Sequence, residues 1–293
     1  MKYLLTSVTL IFALILGAVL QVPDNKLHLV FCDVGQGDAI LAIKGDKQIL
    51  IDGGPSQKVL ECLSRHMPFW DKKIELVVLT HPDSDHITGL VPVLERYSVN
   101  QILANSLVTD TGVFSKFRNL VIAGKIPVYS PKNGDKIKIA EIELDILFPL
   151  EKLGNEVVWK GDQPQDVMGA TTYSGNLNKT AIALELKDQD FKALLTGDIG
   201  VEEEALLRQG FGGLEPVDVL KVGHHGSKYS TSLAFLEEIK PKLAVISVGA
   251  SNKYGHPTSE ILERLKSLNI KILRTDIDGE IEIVSDGRTW SIK

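Results

Sequence analysis

The chain has 293 residues, of which 44% are hydrophobic, and it carries a formal net charge of −6 at pH 7. A chain of this length and composition can bury a large core, and no low-complexity tract indicates disorder. The negative net charge gives no overall basic signature of a nucleic-acid-binding protein. Cys32 and Cys62 are too few for a disulfide scaffold and lack C-x-x-C spacing. We interpret Cys32, which lies in a predicted strand, as a small core residue.

The N-terminus contains an apolar segment, Leu4–Leu20, which Lys2 precedes. This pattern is typical of a membrane anchor or a signal peptide. No small-x-small cleavage site follows at the usual spacing, so we interpret the segment as an uncleaved anchor with an extracytoplasmic catalytic part. A cleaved signal peptide, and hence a secreted protein, is the alternative. Residues 22–26 are typical of a linker, so we divide the chain into an N-terminal segment (1–26) and one globular domain (27–293).

The globular domain opens with three predicted strands. Leu27–Asp33 alternates in polarity, and Ala39–Ile43 and Gln48–Ile51 are joined by a turn typical of a hairpin. In the glycine-containing loop after the first strand, Asp38 can hydrogen-bond an imidazole that binds a metal. A plain turn residue is the alternative for Asp38.

The most informative stretch follows a buried strand that ends at Thr80. Residues 81–86 read His-Pro-Asp-Ser-Asp-His. Open α/β sheets place their functional sites at the carboxyl ends of strands. Imidazole and carboxylate groups together suit zinc, manganese or iron, and two such pairs this close can share two ions. A polar turn that caps a helix explains one of these residues, whereas two histidines interleaved with two aspartates favour a metal site.

Residues 81–86 resemble the metal motif of the metallo-β-lactamase superfamily, usually His-x-His-x-Asp-His, with Asp83 in place of a histidine. This form of the motif resembles the form found in the hydrolase domain of ComEC-type competence proteins and in some choline-phosphate esterases. The sequence Val-Gly-Gln-Gly-Asp-Ala at 34–39 and the loop Asn-x-Tyr-Gly-His-Pro that ends at Pro257 resemble the same ComEC-type domain. The resemblance covers nearly everything from Leu27 onwards, without the membrane channel of a full competence protein. It implies an α/β fold, a four-layer αββα sandwich of two mixed sheets with helices outside.

The resemblance also implies a ligand set for two divalent ions, manganese or zinc. The ligands are His81, Asp83, Asp85, His86, Asp198 and His225. Asp198 would bridge the two ions, because a carboxylate has two oxygens. Asp52 would hold a ligand in orientation, or form a turn with the glycines after it. His225 is favoured over His224 as ligand, which leaves His224 for substrate contact or proton donation, and the reverse assignment stays open.

Further polar residues are candidates for catalysis or substrate contact. Asp85, besides its ligand role, joins His224 and His256 as a candidate catalytic residue, although His256 is equally a histidine hydrogen-bonded within a turn. Asn178 and Thr180 would donate hydrogen bonds where many superfamily members carry a metal-binding histidine. Ser227 would donate to a phosphate oxygen or cap the next helix. The candidate phosphate-binding basic residues are Lys221, Lys228, Lys253 and Arg274.

The other predicted elements alternate along the chain. Helices are predicted over 58–67, 89–97, 114–123, 202–209, 231–239 and 260–268. Strands are predicted over 102–104, 127–129, 137–139, 141–148, 181–186, 191–195, 217–222, 243–248, 272–274 and 280–284. The long loop 150–177 carries Trp159, Met168 and Tyr173, which are candidates for a lid or a stacking surface, or for ordinary packing.

We expect a metal-dependent hydrolase, a phosphodiesterase or nuclease linked to DNA uptake or processing at the cell envelope. The two ions would activate water by lowering its pKa to about 7. Its expected partners are single-stranded DNA or another phosphodiester, the membrane and a separate DNA-channel protein. The alternatives are hydrolysis of another envelope ester (a choline-phosphate ester, lactone or lactam) and a non-catalytic competence-related component.

Overall fold

The computed structural model describes residues 23–293 except 106, 152–157, 161–162, 166–170, 173–174 and 211–212. The apolar segment Leu4–Leu20 and the side chains of Trp159, Met168 and Tyr173 lie outside the described part. Among the described residues, no helix has both the length and the apolar character needed to cross a membrane.

Strands and helices alternate along the chain, and their bounds match most of the predicted elements. The strands are β1 (Leu27–Phe31), β2 (Ile40–Lys44), β3 (Lys47–Ile51), β4 (Lys73–Ile74), β5 (Leu76–Leu79), β6 (Ser98–Val99), β7 (Ile102–Ala104), β8 (Leu107–Val108), β9 (Val128–Tyr129), β10 (Lys136–Ile139), β11 (Ile142–Phe148), β12 (Val158–Lys160), β13 (Gln163–Gln165), β14 (Thr171–Thr172), β15 (Ala183–Asp188), β16 (Phe191–Leu195), β17 (Val219–Lys221), β18 (Leu243–Ile246), β19 (Lys271–Arg274), β20 (Ile281–Ser285) and β21 (Trp290–Ile292). The α-helices are α1 (Lys58–His66), α2 (Ser84–Ile87), α3 (Leu90–Arg96), α4 (Gly112–Ala123), α5 (Val201–Gln209), α6 (Leu233–Ile239), α7 (Ser259–Ser267) and α8 (Thr275–Asp278). The 3₁₀ turns are Leu177–Thr180 and Gly223–Gly226.

Two mixed sheets form the centre of the domain. Within the described residues, eight strands pair in the order β21-β20-β1-β2-β3-β5-β7-β9, and seven pair in the order β10-β11-β15-β16-β17-β18-β19. In the first sheet β3, β5, β7 and β9 run parallel, and in the second β16 to β19 run parallel. Parallel strands buried on both faces read as continuous apolar runs, which is why Leu76–Leu79 and Leu243–Ile246 lack alternation.

The sheets pack face to face with helices on their outer sides. In β1, Leu29 and Phe31 belong to the core between the sheets, whereas Val30 belongs to the core under α1, α3 and α4. Helices α6 and α7 cover the second sheet through Phe235 and Leu265. These four layers confirm the predicted αββα sandwich.

The two cysteines form a disulfide bond, so the predicted core residue Cys32 has a covalent partner that was not predicted. Cys32 directly follows β1, Cys62 lies on α1, and their sulfur atoms are bonded across a separation of 30 residues. Both side chains are buried. The core position of Cys32 is confirmed, whereas the bond was missed because two cysteines far apart in sequence give no sign of whether the fold brings them together.

Removing this disulfide with the double variant Cys32→Ala/Cys62→Ala should lower the free energy of unfolding by about 3–4 kcal/mol, since an open chain gains loop entropy in the unfolded state. Urea unfolding of both proteins, with and without a phosphine reductant, measures the loss. The reductant should destabilise only the wild type. Equal urea midpoints for the wild type and the variant would contradict a stabilising role for the bond.

Three local predictions were wrong for local reasons. Ser232, rather than Ser227, caps α6, and its hydroxyl accepts a hydrogen bond from Phe235 N at 3.3 Å. Residues 275–278 form a short helix between the predicted strands 272–274 and 280–284, where no helix was predicted. Strand β21 was not predicted, because its three residues carry too short a pattern to show alternation.

Candidate metal centre

The candidate site lies at the seam between the two sheets. Asp52 follows β3 and His81 follows β5 in the first sheet, whereas Asp198 follows β16 and His225 follows β17 in the second. Hydrogen bonds join the sheets here, since Ile182 N donates to Thr80 O at 3.0 Å. The carboxyl ends of strands from both sheets therefore meet at one place, as the sequence predicts.

The motif after β5 folds into a tight turn and one turn of helix. Asp83 has an extended backbone, and its carbonyl oxygen accepts hydrogen bonds from His86 N and Ile87 N, both at 3.0 Å. This geometry turns His81 and His86 inwards, where both are buried and their rings are 4.1 Å apart between centroids. Asp83 and Asp85 stay partly accessible, with side chains 41% and 27% exposed.

Asp52 holds the first part of the site in place. Its carboxylate accepts hydrogen bonds from Thr80 N at 2.8 Å, from Thr80 Oγ1 at 2.7 Å and from His86 Nδ1 at 2.8 Å. Because Nδ1 of His86 donates, its Nε2 carries a free lone pair. Thr80 Oγ1 in turn lies 3.0 Å from Nδ1 of His81 and accepts from it. Asp52 thus orients both imidazoles, one directly and one through Thr80.

The adjacent histidines point in different directions because both have left-handed backbones. His224 has φ 47° and ψ 46°, and His225 has φ 53° and ψ 25°. His225 is buried, and its Nδ1 donates to Ser247 O at 3.0 Å. Its Nε2 then faces Asp85 Oδ2 at 3.3 Å and Asp198 Oδ2 at 3.4 Å. The side chain of His224 is 35% exposed, with Nε2 3.9 Å from Asp198 Oδ2. This arrangement favours His225 over His224 as the ligand.

Three buried nitrogen atoms suit a metal ion. Nε2 of His81, His86 and His225 finds no hydrogen-bond partner among the residues that the structure describes. Donor atoms of His81, His86 and Asp198 lie within 4.8 Å of one another, and so do those of Asp85, His86 and His225. Unpaired buried polar atoms are costly, whereas coordination of a cation would satisfy all three lone pairs. The residues present therefore fit divalent metal ions.

The balance of charge at the site also fits divalent metal ions. Among the residues that the structure describes, the site holds one ammonium group, that of Lys221, against the carboxylates of Asp38, Asp52, Asp83, Asp85 and Asp198. The remaining four negative charges equal the charge of two divalent ions. Lys221 is fully buried, its Nζ is ion-paired with Asp38 Oδ2, donates to Gly197 O at 2.9 Å, and lies 3.5 Å from Asp198 Oδ1.

The electrostatic potential of the site shifts the pKa values of its buried ionisable groups. Burial lowers the pKa of His86, but the carboxylates of Asp198 and Asp52 outweigh it and raise that pKa well above the ordinary value. Burial also lowers the pKa of His225, but the carboxylates of Asp198 and Asp38 outweigh this effect and raise that pKa to about 9. Burial raises the pKa of Asp198, whereas His225, His86 and Lys221 hold it well below the usual range. His86 and His225 therefore lie where a positive charge, such as that of a bound cation, is stabilised.

The mouth of the site is formed by polar and aromatic side chains. Asn178 Nδ2 lies 3.3 Å from Nε2 of His224, and the ring of His256 lies 5.7 Å from that of His224. Tyr254 stacks on His256 with an interplanar angle of 28°. The cavity between them is lined by Gln36, Asp83, Asp85, Asn178, Asp198, His224, His225, Tyr254 and His256. The predicted candidates His224, His256 and Asn178 are thus brought together at one opening.

Three of the predicted contact residues have other partners within the protein. Asp38 makes no hydrogen bond to an imidazole. Its carboxylate is ion-paired with Lys221 and lies 3.5 Å from Nδ1 of His225, which donates to Ser247 O instead. Thr180 Oγ1 donates to Leu177 O at 2.6 Å within its own turn. Ser227 is buried, and its hydroxyl accepts from Tyr229 N at 3.3 Å.

Two of the four predicted phosphate-binding cations are engaged elsewhere. Lys221 is buried beneath the site, so it cannot reach a substrate. Arg274 makes a two-pronged ion pair with Asp276, at 2.9 Å and 2.6 Å. Lys228 and Lys253 are exposed and lie over the rings of the tyrosines that follow them, at 5.2 Å and 5.5 Å. These two remain available to contact a phosphate.

The structure adds functional residues that the sequence analysis did not single out. Thr80 relays the orientation of His81, and the carbonyl of Ser247 fixes His225. Gln36 and Tyr254 line the cavity. A signal for Thr80 existed, because a threonine directly before a ligand histidine can hydrogen-bond its ring, but a backbone carbonyl such as that of Ser247 leaves no sequence signal.

Comparison with known proteins decides the family. The sequence profile of the metallo-beta-lactamase superfamily matches residues 32–250, which include every predicted ligand. The chain belongs to this superfamily. Membership supports the prediction of a metal-dependent hydrolase, and it accounts for the ligand positions at successive strand ends.

Curated relatives of this superfamily chain are competence proteins. ComE operon protein 3 of Bacillus subtilis (strain 168) is 27% identical over 274 residues, which cover 85% of this chain and 32% of that protein. Recombination protein 2 of Haemophilus influenzae is 27% identical over 94% of this chain and 31% of its own length. Competence protein ComA of Neisseria gonorrhoeae is 26% identical over 89% of this chain and 33% of its own length. The chain thus spans about a third of the length of these relatives, and the predicted resemblance is confirmed.

Solved structures agree on the fold. The metallo-beta-lactamase fold protein YhfI from Bacillus subtilis superposes with a TM-score of 0.56 at 12% identity, over 88% of this chain and 99% of that one. At this identity the similarity shows the shared superfamily fold alone.

Proposed function

We propose that this chain is a dinuclear, metal-dependent phosphodiesterase that cleaves single-stranded DNA at the outer side of the cell envelope. The observation that carries the proposal is the convergence of three unpaired, buried Nε2 atoms on the carboxylates of Asp198 and Asp85. Such a set of nitrogen and oxygen donors suits divalent transition metals.

Two ions would be held by groups from both sheets. His81, Asp83 and Asp198 would hold the first, and Asp85, His86, Asp198 and His225 the second. When bound, such ions lower the pKa of water and neutralise charge that develops on a phosphoryl group. Asp52 and the carbonyl of Ser247 keep the imidazoles in orientation, which is the contribution of the protein to affinity.

The residues at the mouth would bind the phosphodiester. His224 and Asn178 line the cavity, where Asn178 Nδ2 lies 3.3 Å from Nε2 of His224, and the stacked Tyr254 and His256 form one wall. An aromatic wall beside a charged lysine suits a nucleobase next to its phosphate. The exposed Lys253 lies next to Tyr254 and would contact that phosphate.

The setting of the reaction is inferred from two further features. The named relatives are competence and recombination proteins, which favours DNA as substrate. The Cys32–Cys62 disulfide suits an oxidising compartment, and so an extracytoplasmic domain attached through the apolar segment Leu4–Leu20. A separate channel protein would then carry the DNA across the membrane.

The test uses the full chain in detergent, stripped with a chelator and reloaded with Mn²⁺ or Zn²⁺. Its substrates are a single-stranded oligonucleotide, bis(p-nitrophenyl) phosphate, a choline-phosphate ester and a chromogenic lactam, assayed in parallel. We expect metal-dependent turnover of the first two. Turnover confined to the lactam or the choline-phosphate ester would assign the alternative function, and absence of turnover with any metal would support a non-catalytic component.

Metal choice gives a separate prediction, which depends on Asp83. Its Oδ2 lies 3.4 Å from Nε2 of His81, so a carboxylate takes the place of an imidazole in the first site. Harder oxygen donors favour Mn²⁺ over Zn²⁺. We expect Mn²⁺ to activate the stripped protein more strongly. Asp83→His should lower the Mn²⁺/Zn²⁺ activity ratio by about tenfold or more, since loss of even an outer-shell partner of a metal ligand changes affinity or activity by about that much.

Turnover of one phosphodiester with each metal measures this ratio. The control is Asp46→His, in an exposed hairpin turn at the far edge of the first sheet, which should leave the ratio unchanged. Full activity with zinc and none with manganese in the wild type would refute the ligand-hardness argument.

A further inference from the structure

Two large aromatic side chains are exposed on the edge of the domain opposite the metal centre. Phe69 is 64% and Trp70 is 48% exposed, and their rings meet edge to face at 4.8 Å between centroids. They occupy the turn Pro68–Asp71, which we name the Phe69–Trp70 turn. Neighbouring exposed aromatics of this size are costly in water and mark an interaction surface.

The turn is held rigidly. Asp71 N donates to Pro68 O at 2.9 Å and closes it, and the Asp71 carboxylate accepts from Gln48 Nε2 at 3.0 Å. Pro68 is buried beside the end of α1. The aromatic rings are therefore displayed by a fixed backbone, so the exposure is a property of the fold.

The turn lies where the chain enters the domain. Pro23, the first described residue, and Pro68 line the same cavity. Strand β1 is antiparallel to β2, β2 is antiparallel to β3, and β3 is parallel to β5, so β1 and β5 start at the same edge. The chain before Pro23 comprises 22 residues and includes the apolar segment Leu4–Leu20.

We infer that the Phe69–Trp70 turn contacts the lipid surface beside the N-terminal segment. Tryptophan accumulates at membrane–water interfaces, and phenylalanine side chains also insert at the head-group boundary. The exposed Lys72 and Lys73 follow in sequence, Lys72 over the ring of Tyr97 at 5.0 Å and Lys73 ion-paired with Glu75 at 2.9 Å, so Lys72 offers positive charge to anionic head groups. A second attachment point next to the first fixes the orientation of the domain. The metal centre, beyond the carboxyl end of β5, then faces away from the bilayer, so substrate reaches it from the aqueous side.

The test reconstitutes the full chain into anionic phospholipid vesicles with acyl chains brominated near the head group. Bromine quenches tryptophan emission only at contact range. We expect quenching in the wild type and in the control Trp290→Phe, and loss of at least half of that quenching in Trp70→Phe. Unchanged quenching in Trp70→Phe, or failure of the wild type to float with the vesicles, overturns the inference.

A second pair of variants separates this inference from the hydrolase proposal. Phe69→Ser/Trp70→Ser should weaken retention on vesicles after the N-terminal segment is cut by protease, whereas Leu206→Ser, 45% exposed on α5, should not. Both should keep wild-type hydrolysis of bis(p-nitrophenyl) phosphate in detergent. Equal retention of the two variants would contradict lipid contact, and a Trp70 emission that shifts with protein concentration in detergent would assign the turn to a second copy of this chain.

Discussion

Asp198→Asn should abolish hydrolysis and lower the number of ions bound per chain. A neutral amide cannot bridge two cations, and Asp198 is the carboxylate whose Oδ2 faces both His86 and His225, at 3.5 Å and 3.4 Å. Several kcal/mol of transition-state stabilisation from the ions would be lost, which corresponds to about 10³-fold or more in rate. Metal content by elemental analysis and turnover should be measured on one preparation.

The matched control for this variant is Asp190→Asn. Asp190 lies in the exposed hairpin turn between β15 and β16, away from the ligands. It should keep wild-type turnover and metal content. Full activity of Asp198→Asn with a normal metal content would remove Asp198 from the site.

Lys221→Met should destabilise the protein by about 3–5 kcal/mol, because removal of one partner leaves the carboxylate of Asp38 buried and unpaired. A loss of this size lowers the melting temperature by about 10 °C in a domain of this length. The loss should be larger in the stripped protein than in the metal-loaded one, since bound ions would neutralise Asp198 when Lys221 cannot. Thermal unfolding monitored by circular dichroism, with and without chelator, measures both values.

Two further variants identify the cause of that loss. Lys221→Met/Asp38→Asn, which removes both charges of the pair, should recover part of the lost stability. Lys266→Met, on the exposed face of α7, should change stability by no more than about 0.5 kcal/mol. A double variant less stable than Lys221→Met would show that the ion pair is not what Lys221 contributes.

The sequence was informative wherever a local pattern decides the outcome. A continuous apolar run followed by His-Pro-Asp-Ser-Asp-His predicted both the buried strand β5 and the position of His81 and His86 at its end. The resemblance to the superfamily assigned Asp198 and His225 as ligands, and both follow strands predicted from their apolar runs, β16 and β17. Strand ends are defined by neighbours in sequence, and parallel strands bring their ends together without further information.

Contacts between distant parts of the chain were not predictable in this way. Lys221 stands next to the Gly-His-His-Gly stretch and was interpreted as a phosphate contact, yet its neighbour in space is Asp38, 183 residues earlier. The Cys32–Cys62 bond was missed for the same reason. In both cases the partner is chosen by how the two sheets and α1 pack, which single-residue patterns do not encode.

The location of the ligands at the seam has a consequence for how the molecule opens. One sheet carries, directly after β5, the ligands His81, Asp83, Asp85 and His86. The other carries Asp198 and His225 after β16 and β17. Ions at this place would therefore connect the two sheets in addition to serving hydrolysis. Each tenfold rise in free metal above the dissociation constant would add about 1.4 kcal/mol per ion to the stability of the native state. Amide hydrogen exchange along β5 and β16 would then slow as metal is added and accelerate as it is withdrawn. The stability of the folded domain would thus follow the supply of divalent metal ions around it.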